Sequence, residues 1–197
     1  MALGDHELKM LVNNVTQCTL CEANLPLGPR PVIQIDTASR ILIAGQAPGI
    51  RVHQSGIPFN DPSGDRLRQW MGIPKDVFYD EKQIAILPMG FCYPGTGKSG
   101  DLPPRQECAE KWRRQLIDSL PNIELVLAIG TYAQKWHMSA PKNQSLTKTV
   151  IQWEHYWPKI LPMPHPSPRN NIWLKKNPWF EENVIPTLQD RVKNIIG

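Results

Sequence analysis

Three groups of residues in this chain have types and spacings that could do chemistry. The first is Gly45-Gln46-Ala47-Pro48-Gly49, followed after six residues by Gly56-Ile57-Pro58-Phe59-Asn60 and Asp61-Pro62-Ser63-Gly64. Glycines there let the backbone turn sharply and let a ligand approach it closely. Pro48 and Pro58 stiffen the segment, and Phe59 in a turn-rich stretch reads as a platform for a flat ligand, or else as one buried aromatic. The second group is His165-Pro166-Ser167-Pro168-Arg169-Asn170-Asn171. Prolines on both sides hold the imidazole rigidly, Ser167 and the amides after it could take a phosphate, and Arg169 sits at the tip of a stiff loop. The third is four cysteines, Cys18-x-x-Cys21, Cys92 and Cys108. With no sign of secretion, they favour metal or redox chemistry over disulfides. One tempting stretch carries nothing: Gly95-Thr96-Gly97-Lys98-Ser99 resembles the end of a phosphate-binding loop, but Cys92 stands where the first glycine is needed, and Pro103 and Pro104 follow in place of a helix.

These residues need a scaffold. Four short runs, Ile41–Ala44, Ile84–Leu87, Leu125–Ile129 and Ile160–Met163, are almost wholly apolar rather than alternating. That pattern predicts strands buried on both faces, as in a parallel sheet covered by helices. Helical patterns fall between them: His6–Val15, a helix capped by Ser63 and running through Trp70, Pro104–Leu120, Tyr132–His137, and a last helix opened by Pro178 and ending near Ile195. Strands alternating with helices predict a three-layer α/β/α sandwich around a central four-stranded parallel sheet, with 1–197 as one domain. In such sheets ligands bind beyond the carboxyl ends of the strands. The first two groups both follow predicted strands.

Taken together, the two loops resemble the uracil-DNA glycosylase superfamily. Gly45–Gly49 is similar to its first motif and His165–Asn170 to its second, the intercalation loop. The proline-bracketed Arg form is most similar to the single-strand-selective branch, while the spacing from Gln46 to Phe59 is similar to the iron–sulfur family 4 enzymes. The likeness runs from about Cys18 to Asn170. It implies a monofunctional glycosylase of DNA repair that flips a deaminated base, uracil first, out of the helix and hydrolyses its N-glycosidic bond. His165 would stabilise charge growing on the base carbonyl, and Gln46 at most would orient a water. Phe59, Asn60 and Ala47 would contact the base; Ser167, Arg169 and Asn170 would contact DNA, with Arg169 as the wedge. Family 4 also implies a [4Fe–4S] cluster on Cys18, Cys21, Cys92 and Cys108, with a sixteen-residue step between the last two. Zinc is the weaker option, since a zinc ribbon would show two close pairs.

Two departures stand out. Family 4 has Glu where this chain has Gln46, and family 1, which has Gln, follows it with a catalytic Asp where this chain has Ala47. Family 4 also has a pyrimidine-reading Asn where this chain has Pro88; Asn60 or the backbone near Met89 is the substitute to consider. His53 and Asp61 are spare candidates for activating water. These gaps leave an alternative open, a superfamily member that binds DNA or a damaged base without cleaving it.

Composition sets the outer bounds. Of 197 residues 41% are hydrophobic and 20% charged, which is globular rather than disordered. No apolar run approaches the ~18 residues of a membrane span, and no leader pattern opens the chain, so a cytoplasmic monomer is expected. The net charge of +4 permits a nucleic-acid partner without requiring one. More telling is the stretch from Lys159 to Phe180, which holds Lys159, Arg169, Lys175 and Lys176 and no acid.

Overall fold

The computed structural model describes residues 4–98, 100–138 and 144–197. In chain order the elements are α1 (Asp5–Thr16), β1 (Ile41–Ala44), α2 (Ile50–Ser55), α3 (Pro62–Met71), α4 (Lys75–Phe78), β2 (Ile84–Ile86), β3 (Thr96–Gly97) and β4 (Gly100–Asp101). Then come α5 (Gln106–Cys108), α6 (Arg114–Asp118), β5 (Leu125–Ile129), α7 (Gly130–His137), α8 (Leu146–Ile151), β6 (Ile160–Met163), α9 (Asn171–Lys176) and α10 (Ile185–Ile196). The four apolar runs pair as one parallel sheet in the order β2-β1-β5-β6.

Both faces of this sheet are covered, which is why its strands are apolar without alternation. Ile41 and Ile43 of β1, with Ile84, Ile86, Leu125 and Leu127, face one layer with Leu67 and Trp70 of α3 and Leu188 and Val192 of α10. Leu42, Ala85 and Leu87 face the other, with Leu8, Leu11 and Val15 of α1 and Leu116 of α6. The pleat's period of two thus sorts one unbroken apolar run onto two cores. Pro162, which cannot donate to a ladder, is tolerated because β6 is an edge strand paired only with β5. Among the described residues no helix is long and apolar enough to cross a membrane.

Several predicted boundaries shift. Helix α3 starts at Pro62, and its cap is Asp61, whose Oδ1 accepts the Gly64 amide at 3.0 Å; Ser63 lies inside the first turn. A carboxylate followed by proline is the stronger start signal. The predicted helix from Pro104 begins at Gln106 and passes through a wide-turned π segment, Ala109–Arg113, before α6. The last helix likewise opens with a π segment, Phe180–Val184. From Gly95 the chain turns into the antiparallel hairpin β3–β4, with no helix after Lys98.

Candidate functional site

From β1 the chain moves outward to β2 on one side, then returns to β5 on the other. Neighbouring crossovers leave the sheet in opposite directions there, opening a crevice at the carboxyl ends. A cavity of about 540 Å³ occupies it, lined by Gly45–Val52 after β1, by Phe59, Asp61 and Ser63 ahead of and within α3, and by Pro88 after β2. Its far wall is His165, Ser167, Pro168, Arg169 and Asn170 after β6, and Gly100 and Asp101 of the hairpin. The two motifs, more than a hundred residues apart in the chain, therefore share one cavity.

Phe59 is held in an unusual way. Its φ is +53°, a conformation that a bulky residue adopts only when its surroundings impose it. Gly64 permits the turn, since any side chain there would overlap the Phe59 carbonyl. Gly45 clears the other end: a Cβ at that position would sit 3.4 Å from the tip of the ring. The ring meets Phe78 edge-on at 6.2 Å, which leaves it as a rigid, half-buried wall of the cavity.

His165 is fixed by its own loop. The Ser167 amide donates to His165 Nδ1 at 3.2 Å, so the neutral ring carries its proton on Nε2. Burial pushes the imidazole pKa down; the fields of Asp61 and Asp101 oppose this without outweighing it. The ring is thus a neutral donor at physiological pH. Asn170 Nδ2 donates to the His165 carbonyl at 2.7 Å, and the Ser167 hydroxyl accepts the Arg169 amide at 3.2 Å. Both side chains brace the loop. Arg66 of α3, which the sequence did not single out, donates to the Ser167 carbonyl at 3.2 Å and to Asn171 Oδ1 at 2.8 Å, tying the two motifs together. Arg169 lies across the hairpin: a Cβ on Gly100 would stand 2.6 Å from its Nη1.

Other expected residues fall differently. Gln46 and Ala47 line the cavity, with Gln46 Nε2 donating to the Leu102 carbonyl at 3.4 Å. Asn60 is exposed and not among the lining residues of the cavity. The Met89 amide is already bonded to the Gly45 carbonyl at 2.9 Å. Pro88 does line the cavity, and its carbonyl is taken by Arg113 at 2.6 Å. His53 is buried beside Tyr93, outside the lining. Lys159 precedes β6 and therefore stands at the opposite end of the sheet from His165, so it leaves the predicted basic patch. Arg51 of α2 lines the cavity with Arg169 instead. Asp101, reached by no sequence argument, adds a carboxylate to the same wall.

The four cysteines line a second, small nest of about 10 Å³ with Val15, Leu25, Phe91 and Trp112. Among the described residues no group of three or more His, Cys, Asp or Glu is disposed to hold a metal ion. Every thiol nevertheless meets an N–H donor. Trp112 Nε1 reaches Cys18 at 3.3 Å, the Phe91 amide reaches Cys108 at 3.5 Å, the Arg30 amide reaches Cys92, and the Arg105 guanidinium reaches Cys21. Burial pushes the Cys92 thiol up to about 11 and the Cys108 thiol up to about 12. An all-sulfur donor set in an apolar nest, ringed by N–H donors, is chemically suited to an iron–sulfur cluster.

Fold and cavity together define an α/β protein with an open cleft at the switch point of a parallel sheet. The profile of the uracil DNA glycosylase superfamily matches residues 32–189, and the chain belongs to that superfamily. The match starts beyond Cys18 and Cys21. A solution NMR structure from Methanosarcina acetivorans, provisionally assigned as a uracil DNA glycosylase, aligns at 16% identity over 80% of this chain and 93% of that one, with a TM-score of 0.47.

Proposed function

We propose that this protein is a monofunctional DNA glycosylase that releases a deaminated base, uracil foremost. The observation that carries the reading is the fixed tautomer of His165, a neutral Nε2–H donor in the wall of the cavity that Phe59 also lines. A base turned out of the helix would stack on Phe59, a contact worth about 1–3 kcal/mol. Cleavage of the N-glycosidic bond leaves negative charge on the base, and His165 would donate to the carbonyl oxygen that bears it. A preorganised donor of this kind contributes about 3–4 kcal/mol. Arg169 would leave Gly100 to fill the gap in the stack, and Arg51 would meet backbone phosphate. Cys18, Cys21, Cys92 and Cys108 would hold a [4Fe–4S] cluster in a structural role, as a rigid redox-capable clasp between the N-terminal segment and the sheet.

The test is base release from oligonucleotides carrying uracil, hypoxanthine or xanthine, single- and double-stranded, read as alkali-labile abasic sites. Release by the wild type is expected. Absence of a carboxylate or Asn at Gln46, Ala47 and Pro88 favours the second reading, damaged-base binding without cleavage. Tight binding with no abasic sites would establish that reading instead.

A further inference from the structure

A glycosylase on this scaffold must deprotonate a water, yet the first motif offers only Gln46 and Ala47. Among the described residues lining the cavity the carboxylates are Asp61 and Asp101. Asp61 has one oxygen in a structural role: its Oδ1 caps α3 by accepting the Gly64 amide at 3.0 Å. Asp101 is differently placed. It lies on β4, exposed, where the hairpin closes over the cavity mouth. Its field, after that of Asp61, acts on His165, so all three groups share the cavity's electrostatics. Gly49 leaves room for it, since a Cβ there would stand 3.5 Å from Asp101 Oδ2.

Its orientation is set by a directed chain of hydrogen bonds. Thr96 Oγ1 donates to Asp101 Oδ1 at 3.3 Å. Having given its one proton to the carboxylate, the Thr96 hydroxyl accepts from Tyr93 Oη at 2.6 Å. Tyr93 is buried and Thr96 exposed, so the chain runs from the core outward and aims one carboxylate oxygen while leaving the other open to the cavity. Thr96 and Asp101 are cross-strand partners in the hairpin, so the pairing that forms β3–β4 also sets the carboxylate in place.

We propose that Asp101 is the water-activating base of this enzyme, replacing from the β3–β4 hairpin the carboxylate that the first motif lacks; the proposal rests on the glycosylase reading above. Asp101 takes a proton from water as its oxygen bonds to C1′. The C1′–N bond breaks, its electron pair leaves on the base, and His165 Nε2–H stabilises the resulting anion. The products are the free base, which regains a proton from solvent, and an abasic sugar bearing the new hydroxyl. Asp101 then returns its proton to solvent. Thr96 is a positioning residue in this scheme.

The experiment compares wild type, D101N, T96V and T96S in single-turnover base release from uracil-containing oligonucleotides, with affinity measured on the same DNA carrying a non-hydrolysable 2′-fluoro-deoxyuridine. D101N is expected to slow release at least about 100-fold, the usual contribution of a general base, while binding the analogue as the wild type does. T96V is expected to slow it roughly 3–10-fold and T96S to restore it, a rescue that a merely structural role would not give. An active wild type with D101N within twofold of it overturns this assignment alone, as does D61N losing activity where D101N keeps it. A wild type that leaves no abasic sites overturns the glycosylase reading and this one with it.

Discussion

The cavity and the cysteine nest are built on opposite principles. The cavity is open, about 540 Å³, and its walls are loops whose side chains are spent on bracing one another: Arg66 on Ser167, Asn170 on His165, Asp61 on Gly64. The nest is closed, about 10 Å³, and its walls are apolar side chains with thiols pointing inward. One is polar and held by hydrogen bonds between its loops. The other gathers segments distant in the chain around four thiols. A single helical segment joins them. Cys108 ends α5, and five residues on, at the end of the π segment, the fully buried Arg113 donates to the carbonyls of Leu87 at 2.7 Å and Pro88 at 2.6 Å, behind the cavity wall. Burial pushes its guanidinium down to about 9, so it stays charged at neutral pH.

If the two regions are distinct in this way, they separate under mutation. His165→Ala is expected to reduce base release about 100- to 1,000-fold, with DNA affinity and cysteine chemistry unchanged; an H165A enzyme as fast as wild type would break the assignment of the cavity. Cys108→Ser is expected to do the reverse. It should lower iron and acid-labile sulfide content with the visible absorbance, and lower the unfolding midpoint by roughly 4–8 °C, while residual folded protein keeps its cavity chemistry. Wild-type protein carrying zinc and no iron would move the nest to the weaker option. Arg66→Met, which removes from outside the lining the tie between α3 and the His165 loop, is expected to cost about tenfold in base release and leave the nest intact; equal loss of iron would mean that the regions are one unit.

The mildest test uses pH. Burial, first, and the Arg113 charge, second, push His137 down to about 3 from 6.5. The unfolded chain then takes up a proton below about pH 6.5 that the folded chain refuses until about pH 3. Stability therefore falls as pH drops through that window, by at most about 1.4 kcal/mol per pH unit for this group. His137→Gln should flatten the slope in denaturant titrations between pH 6 and about 4, leaving the His165 contribution, which has the same sign.

The parts legible from sequence share a cause. Ile41–Ala44 and its three companions could be read as parallel strands because burial on both faces removes every polar residue from a short run, and nothing else in the chain looks like that. The short elements α2, α4, α8 and α9 were illegible because six residues or fewer cannot display a helical period. Gly95–Ser99 reads in sequence only as an incomplete phosphate loop, because the pairing of Thr96–Gly97 with Gly100–Asp101 joins residues that show no strand pattern of their own.

By itself the sequence determined the covered parallel sheet, the two glycine- and proline-stiffened loops at its carboxyl ends, and a four-thiol set that includes one close pair. Those are local properties: an apolar run, a turn, a ligand type. Only tertiary structure decided who shares a space. It removed Lys159 to the far end of the sheet, left Asn60 outside the cavity and gave Asp61 to a helix cap. It also tied Arg66 of α3 to the His165 loop and set Asp101 in the cavity wall. Such placements depend on crossover direction and strand order, which bring together residues whose separation along the chain says nothing of their distance in space.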